Sequence, residues 1–598
     1  MRRLAVALVF LTASPIGLAQ KAPPSPPSPS TQTTPARNAA LHQLFADEWE
    51  RSLRDSPENA TYQGDNRYND RWTDWSLAAI ESTAAADRAA LKRLHKIKRA
   101  RLSAADQLNY DTFEWQLKQT VARQPFREYL TPLGIATGVQ TADGIAEMTP
   151  FASAKDYDSW LKRLAALPRL IDQNIVLLQE GMKAKLMPPA VLMTRVSKQI
   201  AAQAQSDPLG SAFYQPFKTM PDSIPAARQA EMRQAAIKVL GEQVIPAYAR
   251  LGKFFDTTYL PQARSTIGAS ALPNGKAYYD FLAAYYTTTD LSADAIHAIG
   301  LAEVARIRER MEAVKQEAGF TGTLPEFFTF LRSDPQFFYK SGAELLLGYQ
   351  ALAKRIDPEL VKAFSVLPRL SYGVRPIPAN LAPDTTTAYY QPGAADGRRP
   401  GYYYVNLYKP EVRPTWEMMA LSLHEAVPGH HFQFARALEL DGLPMFRKTA
   451  YFVAYGEGWG LYAEQLGYDM GLYTTPYDKF GQLTYEMWRA VRLVIDTGMH
   501  AKGWSRQQAI DYFKANAAKT EQDIVNEVDR YINGPGQALA YKIGQLKISE
   551  LRERARAALG ARFDLRTFND EVLGTGSVPL AALETHMMAW IARERARK

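Results

Sequence analysis

The sequence predicts a mainly α-helical protein with one small β-sheet next to a histidine-bearing helix. Three observations carry this reading. Long stretches place apolar residues at three- and four-residue spacings, one short region is aromatic and β-branched, and most Gly and Pro fall between the periodic stretches. At 598 residues the chain can bury a large core, and 46% apolar with 22% charged residues is ordinary globular composition.

Helical periodicity runs over 39–56, 76–97, 103–122, 154–184, 225–255, 290–318, 343–356, 414–436, 448–466, 477–501, 506–516, 521–532, 537–558 and 580–595. Start signals support several of these, such as Ser292-Ala-Asp-Ala ahead of Ile296, Ile299 and Leu301. No internal repeat is present. Residues 369–408 read differently. Arg369-Leu-Ser-Tyr-Gly-Val, Thr386-Thr-Ala-Tyr-Tyr and Tyr402-Tyr-Tyr-Val-Asn-Leu are short strand-like runs separated by clusters such as Ala394-Ala-Asp-Gly. They predict a small sheet whose last strand precedes the histidine-bearing helix, with an edge around Tyr402–Asn406.

The N-terminal residues have a different character. Met1-Arg-Arg, an apolar stretch from Leu4 to about Ala13, and Gly17-Leu-Ala predict a secretory signal peptide over residues 1–19. The apolar run is short of the ~20 residues that span a bilayer. Residues 20–38, rich in Pro, Ser and Thr, predict a disordered spacer. The folded part is then 39–598, with an N-terminal helical part to about 365 and a site-bearing part from about 366. The expected location is periplasmic or secreted, without stable membrane insertion after cleavage.

Composition excludes some chemistry. The chain has no cysteine, which removes thiol nucleophiles, thiolate metal sites, disulfides and a cysteine-linked lipid anchor. Any metal must be held by histidine, carboxylate or backbone oxygen. The net charge of +9 is spread over helix-like stretches and comes with no nucleic-acid motif, so nucleic acid is not an expected partner.

Three of the eight histidines lie in His424-Glu-Ala-Val-Pro-Gly-His430-His431. Zinc hydrolases use such an arrangement, with imidazoles as neutral donors and a glutamate, here Glu425, as general base toward the water that the metal activates. The spacing is unusual. On an ideal helix His430 lies roughly 240° round from His424, and His431 lies ~10 Å further along the axis. Pro428 and Gly429 therefore predict a bulge that returns a later histidine to the metal. His430 is the expected second ligand, because looping out two residues restores four-residue geometry; His431 is the alternative. A third ligand is expected from Tyr455-Gly-Glu457-Gly-Trp-Gly-Leu-Tyr-Ala-Glu464, where the two glutamates are too far apart for both to ligate.

These residues resemble a known family. His424-Glu-Ala-Val-Pro-Gly-His-His-Phe-Gln and Gly456-Glu-Gly-Trp-Gly-Leu-Tyr-Ala-Glu are similar to the bacterial domain-of-unknown-function family eight-eight-five, grouped with the gluzincin-like zinc metallopeptidases. The likeness extends through Ser56-Pro-Glu-Asn-Ala-Thr, Thr287-Thr-Thr-Asp-Leu-Ser-Ala, Arg492-Leu-Val-Ile-Asp-Thr-Gly and Arg530-Tyr-Ile-Asn-Gly-Pro-Gly-Gln. It implies a large helical zincin-like fold. By the order of motifs in the thermostable-carboxypeptidase-like branch, it also implies Glu457 as third ligand and Glu464 as a supporting residue. Relatives in that clan use tyrosine or histidine on late helices for the oxyanion, which points to Tyr541 and His500. Arg489, Arg492 and Asp496 share a helix face beside them, with Asp496 one turn from His500.

The expectation is an exported zinc-dependent metallohydrolase with one Zn2+ per chain, acting as a carboxypeptidase- or oligopeptidase-like peptidase on short peptides with Glu425 as general base. A metal-dependent amidase or esterase on non-peptide substrates, and an inactive peptide-binding or scaffold protein, are the alternatives.

Overall fold

Helix capping and periodicity dominate the architecture, which the computed structural model describes for residues 38–379, 382–384, 386–393 and 399–597. The predicted signal peptide, the predicted spacer apart from Asn38, and the Ala394-Ala-Asp-Gly cluster lie outside the described residues. Asn38 onward forms one unit, so the parts before and after residue 365 are joined. The helices that build the site are α1 (Ala293–Glu317), α2 (Met418–Glu425), α3 (His430–Glu439), α4 (Val453–Met470), α5 (Pro476–Ala501), α6 (Glu521–Asn533) and α7 (Ala540–Leu559).

Their starts are written locally. Ser292 accepts from the Ala295 N–H at the head of α1. Thr475 and Asp478 form a capping box on α5, with Pro476 at its first position. The predicted 225–255 segment is less regular: it is helical over Ala226–Val239 and Ile245–Phe254, joined by a π-turn at Leu240–Val244. Pro246 follows that turn and lacks the N–H that would bond back to Glu242. Helices at Ala190–Gln203, Gly275–Thr287, Leu324–Ser333 and Leu565–Gly574 were not anticipated.

Helix α5 is the axle of the fold. Every residue from Phe480 to His500 is buried, including Glu486, Arg489, Arg492, Asp496 and His500. A buried charge must meet a partner, and these do so across helices. Lys542 of α7, fully buried, lies 2.8 Å from Glu303 of α1 and 3.0 Å from Glu486 of α5. Arg306 and Arg310 of α1 pair with the same Glu486. Arg492 pairs with Glu527 of α6 at 3.0 Å. Close backbone approaches complete the packing. A Cβ on Gly300 of α1 would come within 2.7 Å of Leu493, and one on Gly458 of α4 would lie 2.5 Å from the Gly544 carbonyl carbon of α7.

The sheet comprises β1 (Tyr372–Pro376), β2 (Ala388–Gln391) and β3 (Gly401–Val405), in the order β1-β3-β2. β1 runs parallel to β3 with Tyr372 opposite Gly401, and β2 antiparallel with Ala388 opposite Val405. One face of β3 buries Tyr403 and Val405. The sheet expectation holds in strand positions and fails in one respect. The Tyr402–Asn406 strand is central and paired on both sides, so it offers no edge. The strands with a free side among the described residues are β1 and β2, since each pairs with β3 alone.

The α4–α7 crossing sets where Glu457 and Tyr541 face each other. Gly544→Ala would drive its Cβ into the Ala454 carbonyl. Overpacking of this kind costs about 1–3 kcal/mol. A loss of that size in urea unfolding is the expected outcome.

Candidate metal centre

The chain between His424 and His430 does not bulge within one helix; it breaks. α2 ends at Glu425, Ala426 and Gly429 take non-helical angles (φ −99, ψ −106 and φ −76, ψ −128), and α3 begins at His430. The Val427–Pro428 peptide is cis. Only glycine fits at position 429, because a Cβ there would overlap the carbonyls of Leu423 and His424. The Pro428 carbonyl accepts a hydrogen bond from Trp459 Nε1 at 2.8 Å, tying the break to α4. The outcome is the one the bulge was expected to produce: His430 returns beside His424, their rings 4.8 Å apart and nearly perpendicular.

Glu457 on α4 completes the set. Its Oε2 lies 3.5 Å from His424 Nε2 and 3.4 Å from His430 Nε2. One ligand atom from each of these three residues falls within 4.8 Å of the others. His431 is turned away. It accepts from the Tyr390 hydroxyl through Nδ1 and donates to the Leu370 carbonyl through Nε2, each at 3.0 Å. Burial holds its pKa down at about 4, so it is a neutral strut between the sheet and α3.

The donor set fits a cation. Glu464 accepts from His424 Nδ1 at 2.8 Å, and a carboxylate only accepts, so in the neutral ring the Nε2 atom carries a lone pair. That lone pair faces Glu457 Oε2 in a buried site, where two acceptors oppose each other unless a cation stands between them. In the metal-free protein a proton takes that part. Burial opposes charge on His424, but hydrogen bonds to Glu457 and Glu464 raise its pKa to about 9. Burial likewise disfavours the Glu457 carboxylate, yet the two histidines hold its pKa well below the usual carboxylate range. Two imidazoles and one carboxylate are the ligand types of a catalytic zinc site with an open fourth position.

The surroundings orient the ligands. Tyr451 donates to Glu457 Oε1 at 2.9 Å, leaving Oε2 for the histidines, and its ring stacks on Phe434. The glycines around Glu457 each clear a specific neighbour. Gly456 makes room for the Tyr451 ring, Gly458 for the α7 backbone, and Gly460 for the His424 ring, 2.6 Å from where a Cβ would be. Tyr451 was missed in the sequence because it lies in the link before α4, outside both motifs.

A cavity of about 390 Å³ opens on the three ligand residues and is also lined by Glu425, Tyr541, Arg489 and Arg492. Tyr541 reaches it from the start of α7; burial, with the Glu457 charge next, raises its hydroxyl pKa. His500 is not in this wall. It is fully buried, with Nδ1 accepting from the Ala269 N–H and Nε2 donating to the Tyr531 carbonyl, each at 3.0 Å. Burial lowers its pKa to about 4, and both ring nitrogens are taken by backbone partners away from the cavity. Asp496 does not pair with His500; it accepts from the Tyr279 hydroxyl at 2.6 Å and the Gly536 N–H at 3.1 Å. Asp496 is thus spent on the loop before α7, and His500 on Ala269 and the end of α6.

Three expected outcomes follow from this geometry. Tyr451→Phe and Glu464→Gln should each weaken metal affinity about 10–100-fold, as loss of an orienting partner does, measured by metal titration. His431→Ala should keep stoichiometric metal. In the metal-free protein, His424 contributes stability that is complete below its ordinary pKa of 6.5 and lost as pH rises through about 9. Thermal unfolding against pH should show that loss in wild type and not in His424→Ala.

The relatives agree with the fold. A structure from Colwellia psychrerythraea, described as a candidate lipoprotein, superposes with a TM-score of 0.87 at 30% identity, covering 92% of this chain and 99% of that one. One from Shewanella oneidensis, described as a candidate lipoprotein of unknown function, gives a TM-score of 0.68 at 17% identity over 92% and 100% of the two chains, a likeness of fold alone. No curated protein matches. Residues 57–587 match the family model described as bacterial protein of unknown function (DUF885). The chain belongs to that family.

Proposed function

We propose that this protein is an exported, zinc-dependent hydrolase of short peptides, built as a gluzincin-like metallopeptidase on a zincin-like fold. The observation that carries the reading is the convergence of His424, His430 and Glu457 on a cavity that Glu425 also lines. Those three residues would hold the metal. When bound, zinc activates water and polarises a carbonyl. Glu425 follows His424 directly in the chain, so its carboxylate is set to take a proton from the attacking water and deliver it to the leaving amine. Tyr541 stays protonated beside Glu457 and is positioned as a donor to the developing oxyanion.

The free side of β2 runs along the same cavity through Ala388, Tyr389 and Tyr390. An extended peptide can add to it by strand pairing. A volume of about 390 Å³ matches a ligand of a few residues. Export is supported by the order of residues 1–19 and by the likeness to structures described as candidate lipoproteins. This chain has no cysteine to carry a lipid. Among the described residues no helix is long and apolar enough to cross a membrane.

Metal content by mass spectrometry on the mature chain tests the first half. About one zinc in wild type and in Glu425→Gln, with loss in His424→Ala, His430→Ala and Glu457→Ala, is expected. Peptide hydrolysis tests the second half, and Glu425→Gln should lose about 10²–10⁴-fold in rate. Full activity in that variant sinks the mechanism. Absence of metal after zinc is supplied turns the reading to a peptide-binding protein, and turnover of esters or non-peptide amides alone turns it to an amidase or esterase.

A further inference from the structure

The aromatic side chains around the cavity fall into two groups. On the α5 and α7 side each ring carries a cation. Arg489 lies over Tyr485 and Trp488 at 4.7 and 4.8 Å, and Arg492 lies over Tyr541 at 4.3 Å. On the β2 and α3 side stand Tyr390, Phe434 and Tyr451, and among the described residues no cation lies over any of the three. The charged residues that line the cavity beyond the metal end are Arg489, Arg492, Glu527 and Arg530, all on α5 and α6. One wall is therefore charged and the other is apolar.

The three uncapped rings form one surface with Phe434 in its middle. Phe434 stacks on Tyr451 with 5.6 Å between centroids and 12° between planes, and its centroid lies 5.9 Å from that of Tyr390. It follows His430 by one turn of α3, which places the two rings 6.5 Å apart. Both tyrosines have their polar ends committed elsewhere. The Tyr390 hydroxyl donates to His431 Nδ1, and the Tyr451 hydroxyl donates to Glu457 Oε1. What they leave to the cavity is ring surface without a free donor. That surface is open, since Tyr451 is 39% exposed and Tyr390 and Phe434 are half-buried. An apolar group laid on it removes apolar area from water on both partners. A charged group laid there sheds its water and meets no counter-charge on this wall.

We propose that Phe434, flanked by Tyr390 and Tyr451, receives an aromatic or long aliphatic side chain of the substrate, from the residue next to the cleaved bond. The proximity of Phe434 to the candidate metal ligand His430 gives that place. The inference rests on the hydrolase reading above for its reaction and on the three rings for its selectivity. The selection is made by a side chain and needs no free chain end, so blocked peptides are suitable probes.

The probes are pentapeptides of alanine with Phe, Leu, Ala, Asp or Lys at the central position, acetylated and amidated at their ends. Binding is read by calorimetry on the metal-free full chain, and cleavage by mass spectrometry on the zinc-loaded chain. The Phe and Leu peptides should bind wild type about tenfold to a hundredfold tighter than the Ala peptide, the worth of burying one large apolar side chain. Cleavage should fall at a bond of the Phe or Leu residue itself. Phe434→Ala should erase most of the preference, and Phe434→Leu should retain part of it. Equal affinity for all five peptides, tighter binding of the Asp or Lys peptide, or no binding at millimolar concentration overturns the proposal without any variant. A folded Phe434→Ala chain that keeps the preference overturns it as well, and cleavage away from the Phe residue overturns the assigned place. The hydrolase reading fails separately. A Phe434-dependent preference without turnover leaves the side-chain site and removes the hydrolase, whereas turnover of all five peptides at equal rates does the reverse.

Discussion

The fold depends on the pairing of charges along one fully buried helix. α5 carries Glu486, Arg489, Arg492 and Asp496 through the interior, and a low-dielectric surrounding makes an unpaired ion there costly. Each pairing recruits another helix. Glu486 fixes α1 and α7 through Arg306, Arg310 and Lys542; Arg492 fixes α6 through Glu527; Asp496 holds the Gly536 loop that leads into α7. Arg489 lies 3.8 Å from Glu464 of α4 and lines the cavity.

The candidate metal centre is assembled by absence of side chains as much as by their presence. His424 and Glu457 lie on different helices, and helices with ordinary residues at the contact pack 8–10 Å apart. Gly460 lets the His424 ring lie against α4, and Gly458 with Gly544 lets α7 approach α4 closely enough to bring Tyr541 to the same cavity. Gly429 allows the chain to turn between the two histidines at a point where a methyl group would collide with two carbonyls. A run of glycines inside a helix lowers intrinsic helical stability, by about 1 kcal/mol for each. Here that cost is offset by burial of Trp459, Tyr455 and Tyr462 on the same helix.

Much of the site was legible because its parts are short in sequence. His424, Glu425 and His430 fall within seven residues, and Pro428 with Gly429 between them signals that a regular helix cannot continue. The strands were legible from aromatic and β-branched runs, and the capped helices from their start signals. Other elements were missed. Leu324–Ser333 does carry a signal that went unread over its ten residues, a Thr323–Glu326 capping box with Leu324, Phe327, Phe328 and Leu331 at helical spacing, whereas Gly275–Thr287 starts at a glycine with tyrosines on several sides. The break after Glu425 was read as a bulge because spacing alone does not distinguish a looped-out pair of residues from a new helix on a new axis.

By itself the sequence determined a mainly helical protein, the absence of any thiolate chemistry, the positions of three strands and the identity of the residues able to bind a metal. Tertiary structure decided the rest. It chose His430 over His431, since the direction of a ring depends on how α3 packs on the sheet, and it made β3 central rather than an edge, since strand order follows pairing and not chain order. It also withdrew His500 from the site and gave it to the core. Helical spacing places His500, Asp496, Arg492 and Arg489 in one row, but such a row along a buried helix of 26 residues passes several environments. Which of those residues meets a cavity and which meets a neighbouring backbone is set by contacts hundreds of residues apart, and no local pattern encodes them.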